Sequence, residues 1–413
     1  MKKKFLSEVI SRGFFNQCTD HDQLERLLNN GPIKAYIGFD CTAESIHVGS
    51  LLQIMVLRLL QKYGHQPIVL LGGGTTLIGD PSGKDSTRKI LDNKTIQKNI
   101  EKIKKTFAKL LDTKKKETQP IFVNNYDWLS KLKYIDFLRN IGKHFTINKM
   151  LSFDSVKLRL DREQSLSYTE FNYMILQAYD FYQLNKQFDC ILQIGGSDQW
   201  GNIINGVELI RKIDKKNSYG LTTPLITLSS GAKMGKTEKG AIWLNESLLS
   251  PYDYWQFWRN TEDVDVERFL KYFTDISVLD IEKLIKDEKN INNLKIILAN
   301  EATKILHGDK ASIDAAKTAE DTFKKRGIGK NLPEININKK NLDNGISILD
   351  LISSNNIMSS KSEVRRSIKN NAIKINDELI KNEEKKITFD DFKKNNLVKI
   401  SCGKKKHYII KII

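Results

Sequence analysis

Apolar positions in this chain fall into two rhythms. Short continuous runs occur at Ile33–Phe39, Pro67–Leu71, Ile121–Val123, Cys190–Ile194 and Leu225–Leu228, and each reads as a buried strand. Between them the apolar residues recur at helical spacing. Residues 1 to about 30 read as amphipathic helix up to the Gly31-Pro32 break. A strongly apolar helix, LLQIMVLRLLQKY, starts near Gly49 and stops at Gly64, which suits a C-terminal cap. A lysine-rich helix runs from Asp85 to about Leu111, and further helices are separated at Gly142 and around Ser152. Ser167 and Glu170 have the spacing of a capping box for the helix YTEFNYMILQAYDFYQL.

Strands alternating with helices predict an α/β fold, a Rossmann-like doubly wound parallel sheet with helices on both faces. From Pro251 to about Lys325 the strand signals stop and helices take over, including the aromatic PYDYWQFWRN. A polar stretch with glycine and proline follows, and then a small α+β tail of two helical segments and strands. The expected division is a catalytic domain over 1–245, an all-helical domain over 246–328, a linker over 329–345 and a small module over 346–413.

Candidate chemistry sits where strands end. In YIGFDCTAESIHVGS, from Tyr36 to Ser50, a strand gives way to a helix start, and Asp40, Thr42, His47, Gly49 and Ser50 gather there. Ligands of open α/β sheets bind at the carboxyl ends of strands, and helix starts favour phosphate; a capping role for His47 is the simpler alternative. The loop GGGTTLIGDPSGK, Gly72 to Lys84, resembles two phosphate motifs and fits neither. A Walker A loop needs glycine at Ile78 and Ser or Thr at Asp85, and a GxGxxG fingerprint needs glycine at Leu77. Asp80 is either a ligand contact or, with Pro81, a turn initiator.

On the helix after Ser167, Tyr173, Gln177 and Asp180 stand at i, i+4 and i+7 and share one face. Burying such groups unpaired costs about 1–3 kcal/mol each, so they need a ligand, an internal network or solvent. In GGSDQWGN, Gly195 to Asn202, Ser197 is placed to cap a helix, with Asp198 and Gln199 in its first turn. The glycine-bracketed loop SGAKMGKTEKG carries Lys233 and Lys236; a solvated surface loop is the plainer reading.

Charge changes the picture mainly at the tail. The chain has 67 Lys+Arg against 50 Asp+Glu, net +17, which suits a polyanionic partner. Residues 346–413 hold 15 Lys+Arg and 8 Asp+Glu, net +7, where an even spread gives roughly +3. No apolar run approaches the roughly 20 residues of a membrane span. The start, MKKKFLSEVISRGFF, lacks the continuous apolar stretch of a signal peptide. Cys18, Cys41, Cys190 and Cys402 lie far apart with no CxxC pair, which argues against zinc and disulfides and suits a reducing cytoplasm.

Taken together, these motifs resemble those of bacterial-type tyrosyl-tRNA synthetases, class I aminoacyl-tRNA synthetases. HVGS (His47–Ser50) is similar to the family's HIGH signature and KMGKT (Lys233–Thr237) to its KMSKS signature. GFDCTAESIHVGS, LIGDPSG and GGSDQWGN follow in the family's order, and the tail resembles a ribosomal-protein-like RNA-binding module. Two departures stand out: Ser50 where histidine or asparagine is common, and Ile37 where several relatives have cysteine.

The resemblance implies tyrosine–tRNA ligase activity, with ATP as substrate, Mg2+ on its phosphates and no organic cofactor. It places the substrate hydroxyl between Tyr36 and Asp180, and the α-ammonium against Asp80, Tyr173 and Gln177. Asp40, Asp198 and Gln199 hold the ribose and the tyrosine in register, and ATP lies along Gly38, Asp40, His47, Gly49, Gly196, Asp198 and Lys236. Thr42 and His47 take the γ-phosphate end, with Ser50 beside them. Lys233 and Lys236, with Thr237 completing the motif, meet charge developing on pyrophosphate. Lys361, Arg365, Arg366 and Lys369, at helical spacing in the tail, would contact tRNA phosphates. The family also implies a homodimer partnered by the tRNA for tyrosine, L-tyrosine and ATP, away from membranes, in the cytoplasm. A tryptophan-specific relative and a non-catalytic RNA-binding paralogue are the alternative readings.

Overall fold

The structure is a computed structural model that describes residues 4–79, 91–229, 231, 234–237, 240–323, 332–343, 345–355, 357–392, 397–403 and 406–412, with only the backbone at 154, 155, 158, 236, 237, 240, 322, 323, 340, 341 and 406. The chain forms two compact units, the first made of residues up to Gly235, Trp243–Asn245 and Thr261–Leu294.

The first unit is built on a six-stranded sheet of β1 (Gln17–Cys18), β2 (Lys34–Phe39), β3 (Gln66–Leu71), β4 (Ile121–Asn124), β5 (Cys190–Gly196) and β6 (Tyr219–Thr223), in the order β1-β6-β5-β2-β3-β4. All neighbouring pairs run parallel except β1, which pairs antiparallel with β6 at one edge, Gln17 opposite Thr222. From β2 the chain winds one way through β3 and β4 and the other way through β5 and β6. The topological switch point therefore lies between β2 and β5, and open sheets of this kind take their ligands there, at the strands' carboxyl ends.

The helices of this unit are α1 (Phe5–Ser11), α2 (His21–Asn30), α3 (Leu51–Lys62), α4 (Gly73–Ile78), α5 (Asn93–Leu110), α6 (Tyr126–Leu129), α7 (Tyr134–Asn140), α8 (Ile147–Leu151), α9 (Asp154–Asp161), α10 (Tyr168–Phe188) and α11 (Trp200–Asp214). α3 is buried on nearly every side, as its run of leucine, isoleucine, methionine and valine requires. The capping box at Ser167 and Glu170 is present and starts α10. Phe181 and Ala178 of α10 pack with Tyr36, Ile68 and Leu70 of the sheet in one core cluster.

Several expectations change. The N-terminal stretch is not continuous helix, because β1 interrupts it and gains its ladder from β6. The sixth strand is Tyr219–Thr223, fully buried between two partners, not Leu225–Leu228, where Leu225 is exposed. α5 begins at Asn93 with the Asp92 side chain accepting from the Thr95 N–H; the expected helix start at Asp85 falls outside the described residues. Ser197 makes no capping bond: it sits in a 3-10 turn, Ser197–Gln199, that leads into α11.

The helical stretch 246–328 divides between the units: α13 (Val266–Phe273) and α14 (Val278–Asp287), which follow α12 (Pro251–Arg259), belong to the first. Arg12 ties α1 to the end of α13, donating to the carbonyls of Lys271, Thr274 and Ile276 while paired with Glu8.

The second unit comprises Lys236–Ile242, Glu246–Asn260 and Lys295–Ile413. It holds the ribbon of β7 (Lys236–Thr237) and β8 (Gly240–Ala241), α12, most of α15 (Ile291–Phe323, broken at Gly308) and a C-terminal sheet. That sheet includes β9 (Glu334–Ile337), so part of the expected linker is a strand, paired in parallel with the last strand at Ile409–Ile412. α16 (Ile348–Ser354) and α17 (Lys361–Lys369) pack on this sheet's core. No helix among the described residues is long and apolar enough to cross a membrane.

Candidate active site

Tyr36 lies in the middle of β2 and is 1% exposed, its ring tilted against Phe181 at 5.3 Å between centroids. Its hydroxyl is buried and has no hydrogen-bond partner among the described residues. Burial raises its pKa well above the ordinary tyrosine range, and the nearby charge of Asp180 adds to the rise. Asp180, also 1% exposed, comes from α10, one residue before Phe181. Its carboxylate accepts from Asn125 Nδ2 at 2.9 Å and Trp128 Nε1 at 2.7 Å. Burial outweighs those two bonds, and with Asp40 nearby it pushes the Asp180 carboxyl up to about 7.

Asn125 and Trp128 are site residues that the sequence reading passed over. Asn125 follows β4 directly and is fully buried. Its Oδ1 accepts from the Gly74 N–H at 2.7 Å, and its Nδ2 also donates to Thr75 Oγ1 at 3.0 Å. The triple glycine serves this packing: a Cβ at Gly73 falls 2.2 Å from Asn124 Oδ1, and one at Gly74 falls 2.9 Å from Leu129 Cδ1. The glycine loop thus presses α4 onto the end of β4, which holds Asn125, which holds Asp180. The available signal was an Asn-Asn pair at the carboxyl end of a strand.

Gln193 was also passed over. It stands opposite Tyr36 in the β2–β5 register, is 2% exposed and leaves its Oε1 without a partner among the described residues. Two buried polar atoms on adjacent central strands, both unsatisfied among the described residues, mark a place for a polar ligand. Gln177 and Gln199 are joined by a single amide, Asn202, whose Nδ2 donates to Gln177 Oε1 at 3.0 Å and Gln199 Oε1 at 3.1 Å. Tyr173, on the same helix, is buried.

The side lined by the two signature segments is more open. His47 accepts the Gly49 N–H at Nδ1, 3.0 Å, which leaves the proton of a neutral ring on Nε2. Its ring meets Trp243 edge-on at 6.4 Å. A Cβ at Gly49 would lie 2.6 Å from the His47 ring and 2.8 Å from the Met234 carbonyl. Gly235 (φ +113°) would place a Cβ 2.6 Å from His47 Nδ1. The two signature segments therefore touch through glycines, a closeness that side chains would prevent.

Thr42 is exposed and Ser50 half-buried; Ser50 makes no side-chain cap bond to α3. Asp40 follows β2 and lies against Gly72, whose N–H donates to the Phe39 carbonyl at 2.9 Å. Gly38 is exposed, with Leu70 Cδ2 3.6 Å from a Cβ placed there, and Gly196 is backed by Asp198, 2.7 Å from a Cβ placed there. Ile37 is buried. Asp80 and Lys233, and the side chains of Lys236 and Thr237, lie outside the described residues.

In the second unit, Lys361, Arg365, Arg366 and Lys369 are all exposed along α17, while Val364 and Ile368 face its core. Lys361 pairs with Asp350, and Arg365 lies 3.8 Å from Glu383.

Comparison with known proteins gives this arrangement a family. The model for class I tRNA synthetases (W and Y) matches residues 28–324, and that for the tyrosine–tRNA ligase SYY-like C-terminal domain matches residues 325–410. The chain is 64% identical over 410 residues to a tyrosine–tRNA ligase of Pelagibacter ubique, covering 99% of this chain and 100% of that protein. It is 50% identical to one from Rickettsia massiliae over the same coverage. Among solved structures, a C-terminally truncated mitochondrial tyrosyl-tRNA synthetase of Aspergillus nidulans aligns with a TM-score of 0.70 and 29% identity, over 78% of this chain and 95% of that one. The chain belongs to the class I tRNA synthetases, in the branch of the tyrosine–tRNA ligases.

Proposed function

We propose that the chain activates L-tyrosine at the β2–β5 crevice and then passes the tyrosyl group to the 3′ end of its tRNA. In the first step a tyrosine carboxylate oxygen attacks the α-phosphorus of ATP, the bond to the bridging oxygen breaks, and pyrophosphate leaves. In the second, a ribose hydroxyl attacks the adenylate's carbonyl carbon, loses its proton and expels AMP. The nucleophile of the first step is already an anion, so the protein's work is alignment and charge stabilisation.

The observation that carries the amino-acid choice is the unpartnered Tyr36 hydroxyl beside a carboxylate held from behind by Asn125 and Trp128. A substrate phenol satisfies both groups; phenylalanine leaves them buried and unpaired, an effect for which tyrosine enzymes are the reference example. Asp80, Tyr173 and Gln177 take the α-ammonium, with Gln177 and Gln199 set by Asn202. Asp40, Asp198, Gly38, Gly49 and Gly196 shape the nucleotide seat. His47 and Thr42 meet the γ-phosphate, with Ser50 offering a single hydroxyl. Lys233, Lys236 and Thr237 act on the leaving pyrophosphate.

Magnesium enters with ATP on its phosphates. Lys361, Arg365, Arg366 and Lys369 contact tRNA phosphates. A homodimer is supported by exposed Tyr134, Ile135, Leu138, Ile147, Leu160 and Tyr168, spread from α7 to the start of α10. Four free cysteines, three of them buried, suit a reducing cytoplasm.

ATP–pyrophosphate exchange with tyrosine, phenylalanine and tryptophan tests the reading. Exchange with tyrosine alone is expected; equal exchange with phenylalanine removes Tyr36 and Asp180 from their role.

A further inference from the structure

The segment that leads into the lysine-bearing loop is gripped from α13. Asp265 closes a 3-10 turn, Asp263–Asp265, at the start of α13 and is 3% exposed. Its Oδ2 accepts the Ser229 N–H at 3.0 Å, and its Oδ1 accepts from Arg268 at 2.5 Å. The same guanidinium nitrogen donates to the Thr227 carbonyl at 2.7 Å. One ion pair thus holds two backbone groups of the stretch that ends four residues before Lys233.

The far end of the loop is fixed as well. The Met234 N–H donates to the Ile226 carbonyl at 2.9 Å, so the chain returns beside the point where it left. Met234 is buried, and its carbonyl lies against Gly49. The described residues on either side of position 233 are therefore both held, Thr227 and Ser229 by Arg268 and Asp265, and Met234 by the Ile226 carbonyl beside the His47 signature.

We propose that Asp265 and Arg268 are positioning residues: they fix the backbone that delivers Lys233 to the leaving pyrophosphate, and they set the rate of adenylate formation without touching a substrate. This rests on the role given to Lys233 above. Catalysis by a lysine on a loop depends on where its stem is anchored. A displacement of about 1 Å costs on the order of 10- to 100-fold in rate. Tyrosine binding, which uses β2, β5 and α10, does not depend on that anchor.

The test uses the full-length chain in single-turnover adenylate formation and equilibrium tyrosine binding. Asp265→Ala is expected to slow adenylate formation about 10- to 100-fold with the tyrosine Kd changed by less than about twofold. Asp265→Asn keeps an oxygen for the Ser229 N–H and is expected to recover much of the rate. Arg268→Ala, which leaves the Ser229 contact in place, is expected to show a smaller loss of the same kind, and it stands in if Asp265→Ala does not fold.

The deciding measurement is the double variant Lys233→Ala with Asp265→Ala. If Asp265 works through Lys233, the double variant is no slower than Lys233→Ala beyond about threefold. Multiplying losses, an unchanged rate in Asp265→Ala, or a tyrosine Kd that weakens in step with the rate each overturn the proposal. A wild-type rate in Lys233→Ala instead removes the loop's role itself, and is read independently of Asp265.

Discussion

The two halves of the crevice are built in opposite ways. The proposed amino-acid end is dry and over-determined: Tyr36 and Asp180 are each 1% exposed, and Asp180 is held by two donors, one of which is itself held by the start of α4. The proposed phosphate end is open, with Thr42 exposed and His47 half-buried, and its two signature segments meet through glycines. Selecting a phenol requires that a wrong side chain strand buried polar atoms, which only a closed, pre-paired site provides. Expelling pyrophosphate requires groups that act on developing charge and then let the product leave, which favours loops.

The sharpest way to break this contrast is Asp180→Ala. It strips the Asn125 and Trp128 donors of their acceptor, and kcat/KM for tyrosine is expected to fall on the order of 10³-fold; a loss confined to kcat would place Asp180 on the wrong side of the comparison. Next come Lys233→Ala and Lys236→Ala, each expected to slow adenylate formation about 10²- to 10³-fold with tyrosine affinity little changed. Unaltered rates would take them out of the mechanism.

Asn125→Ala should raise the tyrosine KM by about 10- to 100-fold, since it removes one bond to a buried carboxylate. No change would mean that Trp128 alone suffices. Truncation after residue 324 bears on neither end of the crevice. Exchange should persist while tRNA charging drops by about tenfold or more through lost phosphate contacts. A cut at 346 is the poorer design, because it leaves β9 without the strand it pairs with.

The smallest expected effect is on stability against pH. The Asp180 carboxyl is raised to about 7 in the fold, from an ordinary carboxylate value of 3.8. The folded state therefore holds a proton that the unfolded chain gives up. Stability from this group is full below the unfolded value and is lost as pH rises toward about 7. Relative to wild type, Asp180→Asn should gain a few degrees in Tm between pH 5 and pH 8, whatever its constant offset. A difference that stays flat with pH would show that Asp180 is ionised throughout.

Local signals carried the stretch from β2 to α3 well. An apolar run followed by polar residues and a helical period placed β2, the turn at Asp40 and α3 together, because such a unit is decided within about thirty residues. The same logic failed at β6. Leu225–Leu228 has the apolar content of a strand, while Tyr219–Thr223 carries glycine and two threonines. What makes the latter a strand is its position between β5 and β1, and the Gly220 backbone lies so close to Ile203 that a Cβ would fall 2.3 Å from its Cγ2. β1 was missed for the same reason: two residues have no periodicity to read.

By itself, the sequence determined most of the alternation of strands and helices, β1 and β6 excepted, the face shared by Tyr173, Gln177 and Asp180, and the two signature segments, since each depends on spacing along one element. Only the tertiary structure decided that Asn125 and Trp128 grip Asp180, that Gln193 stands beside Tyr36, and that Gly235 rests on His47. Those relations join residues that are far apart in the chain. They are settled by which strands become neighbours and by how closely glycines let backbones approach, and no local pattern encodes either.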